Sequence, residues 1–351
     1  MVHCNKDVKD ELPQFRLIIP VCPMAHRNMS NARPTFLIGD IGGTNARFAL
    51  IDALGDLCIE VLRCADYASL EAAIRDFLGR NTSGDAPPIG AAFAVAGPVT
   101  GDLVTLTNLS WQFSTRSLGN SLGLQSLIVI NDFTAVALGV PRLGCGDYRP
   151  IGGGAPEPGT PIGVIGPGSG LGVSGLIPGQ GGPIAIAGEG GHVTLAPTDD
   201  RECEVLGLLR RRFGHVSAER ILSGPGLVTL FETLATLGGH TVQTLSAADI
   251  TTAALAGTNS LCTDALEMFA GFLGTVAGNL ALTLGARGGV YIAGGIAPRL
   301  GDWLEHSSFR RRFTEKGRHT AYLSRIPSYV VTHPLPAFLG LRSLVLLESH
   351  A

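Results

Sequence analysis

Lysine is almost missing from this chain. Lys6, Lys9 and Lys316 are its only occurrences in 351 residues, and none follows a glycine-rich loop. That removes both the P-loop lysine and the strand lysine of a protein kinase, which reach nucleotide phosphates. If this chain handles ATP, it does so by another architecture. Cys4, Cys22, Cys58, Cys64, Cys145, Cys203 and Cys262 are scattered, odd in number and without a C-x-x-C pair. This argues for reduced thiols in a cytoplasmic protein and against structural zinc. Basic runs are confined to Arg210-Arg211-Arg212 and Arg310-Arg311-Arg312, which read as solvated helix faces, and the net charge is −3. Neither gives the footprint of a nucleic-acid binder. The longest apolar run, Met268 to Leu284, has 17 residues, is glycine-rich and contains Asn279, so it falls short of a membrane span. Its small residues Gly271, Gly274, Gly278 and Ala281 suit a buried helix that packs closely on its neighbours.

Glycine is what the chain has in excess. There are 48 glycines, roughly twice average usage. With hydrophobic residues at 45%, this is a packed protein with many tight turns and not low-complexity disorder. Its length favours two domains over one core. The central stretch is FLIGDIGGTNARFAL, Phe36 to Leu50, where an apolar strand ends in Asp40, turns on Gly42-Gly43 and returns. Such a turn lets the backbone take conformations closed to other residues, approach a ligand without Cβ contact, and aim N–H groups at an anion. Asp40 beside it can hold Mg²⁺ through water. An ordinary Gly-Gly hairpin would have the same pattern.

Residues 1–34 read as a mobile leader. Pro20 and Pro23 interrupt its one semi-apolar patch, which a signal peptide would keep unbroken, and Met24 or Met29 could serve as the start. After the hairpin come a strand at Cys58 to Cys64, a helix from Ser69 to Leu78 capped by Ser69, and strands at Ile89 to Ala96, Leu103 to Thr107 and Leu127 to Ile130, then a helix beginning at Phe133. A second unit opens at Ile162 with the same order of apolar strand, glycine turn and returning strand. Strand Pro183 to Ala187, helices Cys203 to Phe213, Leu227 to Leu237 and Cys262 to Leu284, strand Val290 to Ala293 and the turn Gly294-Gly295 follow. The repeat implies two related α/β halves with a cleft between them, and two facing phosphate loops.

Asn131-Asp132 ends a buried parallel strand, the usual place for a ligand in an open α/β sheet. Asp132 can take the proton from an attacking hydroxyl, or cap the following helix, or do both. Glu189 and His192, three apart in GEGGHVTLAP, suit polyol recognition, and their spacing is not that of a zinc helix. Glu219, alone before a Gly-Pro-Gly turn, reads as a surface residue. Two motif matches are set aside as chance: Gly170-x-Gly172-x-x-Gly175 lies on a returning strand, and Gly119-x-Ser121-x-Gly123 precedes a strand instead of ending one.

The segments IGDIGGTNARFAL, AGPVTGD, TNLSWQFS, VINDFTAVALG, GPGSGLGV, GEGGHVTLAP, GHVSAERILSGPGL and GGVYIAGGIAPR, in this order over residues 36–340, resemble bacterial-type ATP-dependent glucokinase. The resemblance implies the ribonuclease H-like fold of hexokinases, actin and Hsp70-like ATPases. It implies a small domain (35–142 with 334–351) and a large one (143–333) closing on D-glucose in the cleft between them, with ATP and Mg²⁺ as cofactors in a cytoplasmic homodimer. Asp132 is then the catalytic base, and Asn131, Asp132, Glu189, His192 and Glu219 grip glucose hydroxyls. Asp40, Ile41, Gly42, Gly43, Thr44 and Asn45, with Gly168, Ser169 and Gly170, flank the ATP phosphates, and Gly294-Gly295 lies near the adenosine. Departures from the family pattern are the leader and His333-Pro334-Leu335-Pro336-Ala337, where the family is richer in Asp-Asn-Pro-Gly. Kinases for another hexose or an amino sugar share the phosphate loops. A sugar-sensing regulator would carry a helix-turn-helix and lack the base at the strand end.

Overall fold

The computed structural model describes residues 35–52, 58–82, 87–107, 109–242 and 244–348. The expected leader, 1–34, lies outside the described residues. Strands β1 (Phe36–Ile41) and β2 (Asn45–Ile51) form the first hairpin, with Asp40 opposite Arg47 and Ile41 opposite Ala46. Leu37 and Ile38, on opposite faces of β1, are both fully buried, as a central strand covered on two sides requires. β3 (Cys58–Arg63) extends the hairpin antiparallel to β2. Helix α1 (Leu70–Asn81) starts at the expected Ser69 cap, whose hydroxyl accepts from the Ala72 N–H. It returns the chain to β4 (Gly90–Val95), parallel to β1. Where one short strand was expected near Leu103, a separate ribbon forms from β5 (Leu103–Thr105) and β6 (Gln112–Ser114). Helix α2 (Thr115–Leu122) then leads to β7 (Ser126–Asn131), parallel to β4, and α3 (Asp132–Gly139) leaves from its end.

The second sheet starts at its edge with β8 (Tyr148–Pro150), three residues without a sequence signature. β9 (Ile162–Pro167) and β10 (Leu171–Ile177) form the second hairpin, and β11 (Ile184–Ile186) adds to it antiparallel. Then come α4 (Asp200–Phe213), α5 (Gly224–Leu237), α6 (Ala247–Leu255) and α7 (Ser260–Leu284). β12 (Val290–Ile292) returns parallel to β9. Short helices α8 (Trp303–His306), α9 (Phe309–Thr314) and α10 (Thr320–Arg325) precede β13 (Ser328–Val331), parallel to β12, and α11 (Pro336–Glu348) closes the chain. The sheet orders are β3-β2-β1-β4-β7 and β11-β10-β9-β12-β13-β8. With β8 set aside they are the same: a central strand, its hairpin partners on one side and two parallel strands on the other. The repeat read at Phe36 and Ile162 is therefore a repeat of whole sheets.

α11 lies against α3, β1 and β4, with Phe338, Leu341 and Val345 buried. The same apolar cluster includes Val164 and Val331 of the second sheet and Ala293 just after β12, so α3 and α11 fill the space between the sheets. α7 is long and apolar enough to cross a membrane, yet 72% of its most apolar window is buried inside the protein. Its small residues do what their spacing suggested. A Cβ on Gly274 would stand 2.1 Å from the Phe309 carbonyl oxygen, and one on Gly278 2.4 Å from that of Phe313, so α9 packs on bare helix backbone.

The arginine triplet at 310–312 corrects the solvated-face reading. Arg311 is exposed and pairs with Glu315. Arg312 is buried, 6% exposed, and makes a two-pronged pair with buried Glu202 at 2.7 and 3.1 Å while also donating to the Thr275 hydroxyl. The guanidinium of Arg310 donates to the carbonyls of Leu323, Ser324 and Ile326, and burial pulls its pKa down to about 10. Arg210, Arg211 and Arg212 are exposed as read. Cys64, Cys145, Cys203 and Cys262 are free thiols.

Candidate active site

Strand ends and hairpin turns converge where the two sheets meet. Asn131 is the last residue of β7 and Asp132 the first of α3. The helix cap is Asn131, which corrects the capping role considered for Asp132. Its Oδ1 accepts from the N–H groups of Phe133 at 2.9 Å and Thr134 at 3.2 Å, and its Nδ2 donates to the Gly97 carbonyl at 3.3 Å. Asp132 is thereby left to face the site, with its Oδ1 accepting from the Phe133 N–H at 2.8 Å.

Burial pushes the Asp132 carboxyl up to about 6, the negative charges of Asp40 and Glu189 add to the rise, and the Phe133 N–H opposes it. A carboxylate tuned upward in this way is a better proton acceptor near neutral pH than an ordinary surface aspartate. Asp40, near the end of β1, is also raised by burial, and Arg47 across the hairpin pulls the other way through an ion pair at 3.1 Å. Sequence reading missed Arg47. The signal was available, because a two-stranded hairpin turning at Gly43-Thr44 places residues 40 and 47 opposite each other.

In the first hairpin turn one amide of the expected anion nest is used internally. Gly42 does not take positive φ, and its N–H donates to the Asn45 carbonyl at 3.0 Å, so it closes the turn and does not face a ligand. The Cys64 N–H and thiol hold the tip from below, donating to the carbonyls of Thr44 and Gly42. In the second hairpin turn the Gly168 N–H likewise donates to the Gly170 carbonyl, and the exposed Ser169 sits at the tip. The first residue of α5, Gly224, donates its N–H to the Gly168 carbonyl at 2.8 Å. On the other flank Gly294, at φ +79°, runs so close to Pro167 that a Cβ would stand 2.5 Å from its carbonyl oxygen. Gly168–Gly170 and Gly294-Gly295 are thus neighbours.

Glu189 and His192 occupy one tight turn, with the His192 N–H donating to the Glu189 carbonyl, and both side chains are exposed. An antiparallel bridge between Thr194 and Ser217 ties this loop to the one carrying Glu219. Glu219 is not the surface residue that its isolation suggested. It is half-buried, and its Oε2 accepts from the Leu171 N–H at 2.8 Å. Of the glycines in the rejected G-x-G-x-x-G match, Gly172 and Gly175 lie on β10 as read and Gly170 stands just before it, but they are not there by chance. Gly170 leaves room for the Glu219 carboxylate, Gly172 for the Phe133 ring and Gly175 for Leu284.

The structure therefore gathers a tuned carboxylate, a second carboxylate near it, two glycine turns and a loop pair bearing Glu189, His192 and Glu219. Among the described residues no three His, Cys, Asp or Glu side chains form a cage for a metal ion. A Mg²⁺ is commonly bound by one or two carboxylates together with water and phosphate, and Asp40 is the carboxylate that would hold one here, through water.

Comparison with known proteins identifies the family. Residues 37–347 match the family model described as Glucokinase. A glucokinase of Aromatoleum aromaticum is 52% identical over 306 residues, covering 87% of this chain and 92% of that one. The crystal structure of a glucokinase from an Antarctic psychrotroph superposes with a TM-score of 0.78 at 37% identity, over 88% of this chain and 98% of its own. A ROK family glucokinase from Streptomyces griseus, solved with glucose and AMPPNP, shares the fold at a TM-score of 0.59 and 20% identity, over 88% and 98% of the two chains. With a family match across nearly all the described residues and relatives at this identity, the chain belongs to the glucokinase family.

Proposed function

We propose that this chain transfers the γ-phosphoryl group of ATP to the 6-hydroxyl of D-glucose, with Asp132 as general base. The observation that carries the reading is the placement of Asp132: freed from capping by Asn131, set between the two hairpins, and raised to about 6 by burial and by Asp40 and Glu189. Residues 35–142 with 334–351, and 143–333, act as the two halves that close on the sugar. Asn131, Glu189, His192 and Glu219 hold the remaining hydroxyls. The turns Asp40–Asn45 and Gly168–Gly170 flank the phosphates, and Gly294-Gly295 lies beside the adenosine. Asp40 would hold the Mg²⁺ of the nucleotide through water, and the ion would supply charge neutralisation on the phosphates.

In this arrangement Asp132 orients the 6-hydroxyl and accepts its proton as the new O–P bond forms. Phosphoryl transfer passes through a loose transition state, so positioning and electrostatics supply most of the acceleration. Closure over the sugar excludes water, which would otherwise accept the phosphoryl group. The free thiols among the described residues support a reducing, cytoplasmic setting. A homodimer belongs to the same proposal and is read by light scattering.

The test is ATP turnover by the purified protein against glucose, mannose, galactose, fructose and N-acetylglucosamine. Glucose should stand well above its epimers, because a site that hydrogen-bonds hydroxyls leaves its own groups unpaired when one is displaced. Equal rates on glucose, mannose and galactose would overturn the glucose assignment.

A further inference from the structure

Phe133 follows Asp132 directly, and neither the sequence pattern nor the proposed chemistry gave it a task. Its ring is half-buried and lies across the second hairpin at one particular spot. Gly166 of β9 and Gly172 of β10 face each other there in register. A Cβ added to Gly172 would stand 1.8 Å from the ring Cδ2 and 2.1 Å from Cγ, and one added to Gly166 would stand 2.5 Å from Cζ. Two glycines paired across a hairpin thus form a slot with bare backbone as its floor, and the Phe133 ring fills it. The slot lies close to the hairpin tip: Gly166 is two residues before Gly168 and Gly172 two residues after Gly170.

The backbone of the same residue holds the other end. The Phe133 N–H donates both to Asp132 Oδ1 at 2.8 Å and to Asn131 Oδ1 at 2.9 Å. One residue therefore orients the carboxylate with its amide and grips the strands leading to the Gly168–Gly170 turn with its ring. We infer that Phe133 is a positioning residue for phosphoryl transfer, a spacer whose ring in the Gly166/Gly172 slot fixes the separation between the Asp132 carboxylate and the Gly168–Gly170 turn. It touches neither sugar nor phosphate and acts by setting the distance between the groups that do. The inference rests on the reading of Asp132 as base and of the turn as a phosphate loop. Glycine inside a strand weakens it and often marks a place where another group approaches the backbone closely; here it stands on both strands of the pair.

The consequence is a split between kcat and KM. In-line transfer depends steeply on the separation of its reacting groups, and a displacement near 1 Å costs about 10²-fold in rate. Sugar and nucleotide keep their other contacts, the sugar at Asn131, Glu189, His192 and Glu219 and the nucleotide at Asp40–Asn45 and Gly294-Gly295, so binding loses less than transfer. Phe133→Leu and Phe133→Ala should lower kcat per active site progressively, by about 10-fold and about 10²-fold, while both KM values stay within about threefold. Gly172→Ala, which evicts the ring, should cause a loss like that of Phe133→Ala. In a Phe133→Ala background it should cost no more than about twofold, because the slot is already vacant and the two changes are coupled.

These variants are measured as the full chain, well below their melting temperatures, with active sites titrated and Asp132→Asn alongside. Should Gly172→Ala not fold, the two Phe133 variants carry the test by their graded kcat. Unchanged kcat per active site, a parallel rise of both KM values, or additive effects of Phe133→Ala and Gly172→Ala would each overturn the spacer role. Near-normal turnover by Asp132→Asn would instead remove the base, a failure of the function reading that the Phe133 results could not mimic.

Discussion

Asp132→Asn should make the protein more stable while making it nearly inactive. In the folded chain the carboxyl titrates at about 6 against an ordinary value of 3.8, so the fold disfavours its charged form by about two pKa units, or about 3 kcal/mol. Asparagine keeps an oxygen to accept from the Phe133 N–H but carries no charge to desolvate or to repel Asp40 and Glu189. The sign follows from proton counts. Between 3.8 and 6 the folded state holds a proton that the unfolded state has released, so wild-type stability falls as pH rises through this window. The penalty is complete above about 6 and absent below 3.8. The variant's advantage should therefore be full at pH 8, about 1 to 3 kcal/mol after allowing for the imperfect fit of the amide, and should shrink to about half by pH 5. Thermal melts of the ligand-free protein would show a Tm gain of a few degrees at pH 8. Turnover should fall about 10² to 10⁴-fold, and wild-type kcat/KM should drop on the acid side with a midpoint near 6. A variant less stable than wild type at pH 8, or a margin that does not change with pH, would refute the electrostatic account. Normal kcat would refute the catalytic one.

Sequence alone revealed the elements whose patterns are local. An apolar strand, a glycine turn and a returning strand at Phe36 and Ile162 implied the two hairpins, and Ser69 implied a capped helix. Elements of three or four residues, such as β8 and β13, were missed or left without a role, because their identity comes from the strand they pair with and not from periodicity. The same limit applied to side chains. Arg312 looks like a surface arginine in a basic triplet, and only the fold brings Glu202 to it across 110 positions of sequence. Glu219 looked isolated because its partner, the Leu171 N–H, is 48 residues away. Within the site, the strand-end position of Asp132 was legible, but its pKa was not, since that depends on burial and on the charges of Asp40 on β1 and Glu189 in the loop after β11. The glycines of β10 were dismissed because a nucleotide motif was sought in them, whereas each is a small residue facing one large neighbour.

Three further outcomes are expected. Removal of residues 1–34 should leave kcat and both KM values unchanged, since the family match begins at residue 37; loss of soluble protein or a large change in KM would show that this segment packs on the enzyme. Arg312→Met should leave Glu202 buried without its partner and cost about 3 to 5 kcal/mol, seen as a Tm drop on the order of 10 °C; a change within 2 °C would show the pair is solvated in solution. The third concerns Glu219, whose carboxylate holds the Leu171 N–H at the start of β10. Glu219→Gln keeps a carbonyl oxygen for that N–H, so the turn at Gly168–Gly170 stays in place and the ATP KM should move little. What it loses is the charge that strengthens a hydrogen bond from a sugar hydroxyl, worth about 1.5 to 3 kcal/mol against about 1 for a neutral acceptor. The glucose KM should therefore rise about 3- to 30-fold. Glu219→Ala removes both contacts, and it should raise the ATP KM as well, because the Leu171 N–H then lacks its acceptor and the adjoining turn loses its brace. Steady-state constants for both substrates on both variants separate the two roles. An unchanged glucose KM in Glu219→Gln would mean that the carboxylate serves β10 alone, and an unchanged ATP KM in Glu219→Ala would mean that the turn does not depend on it.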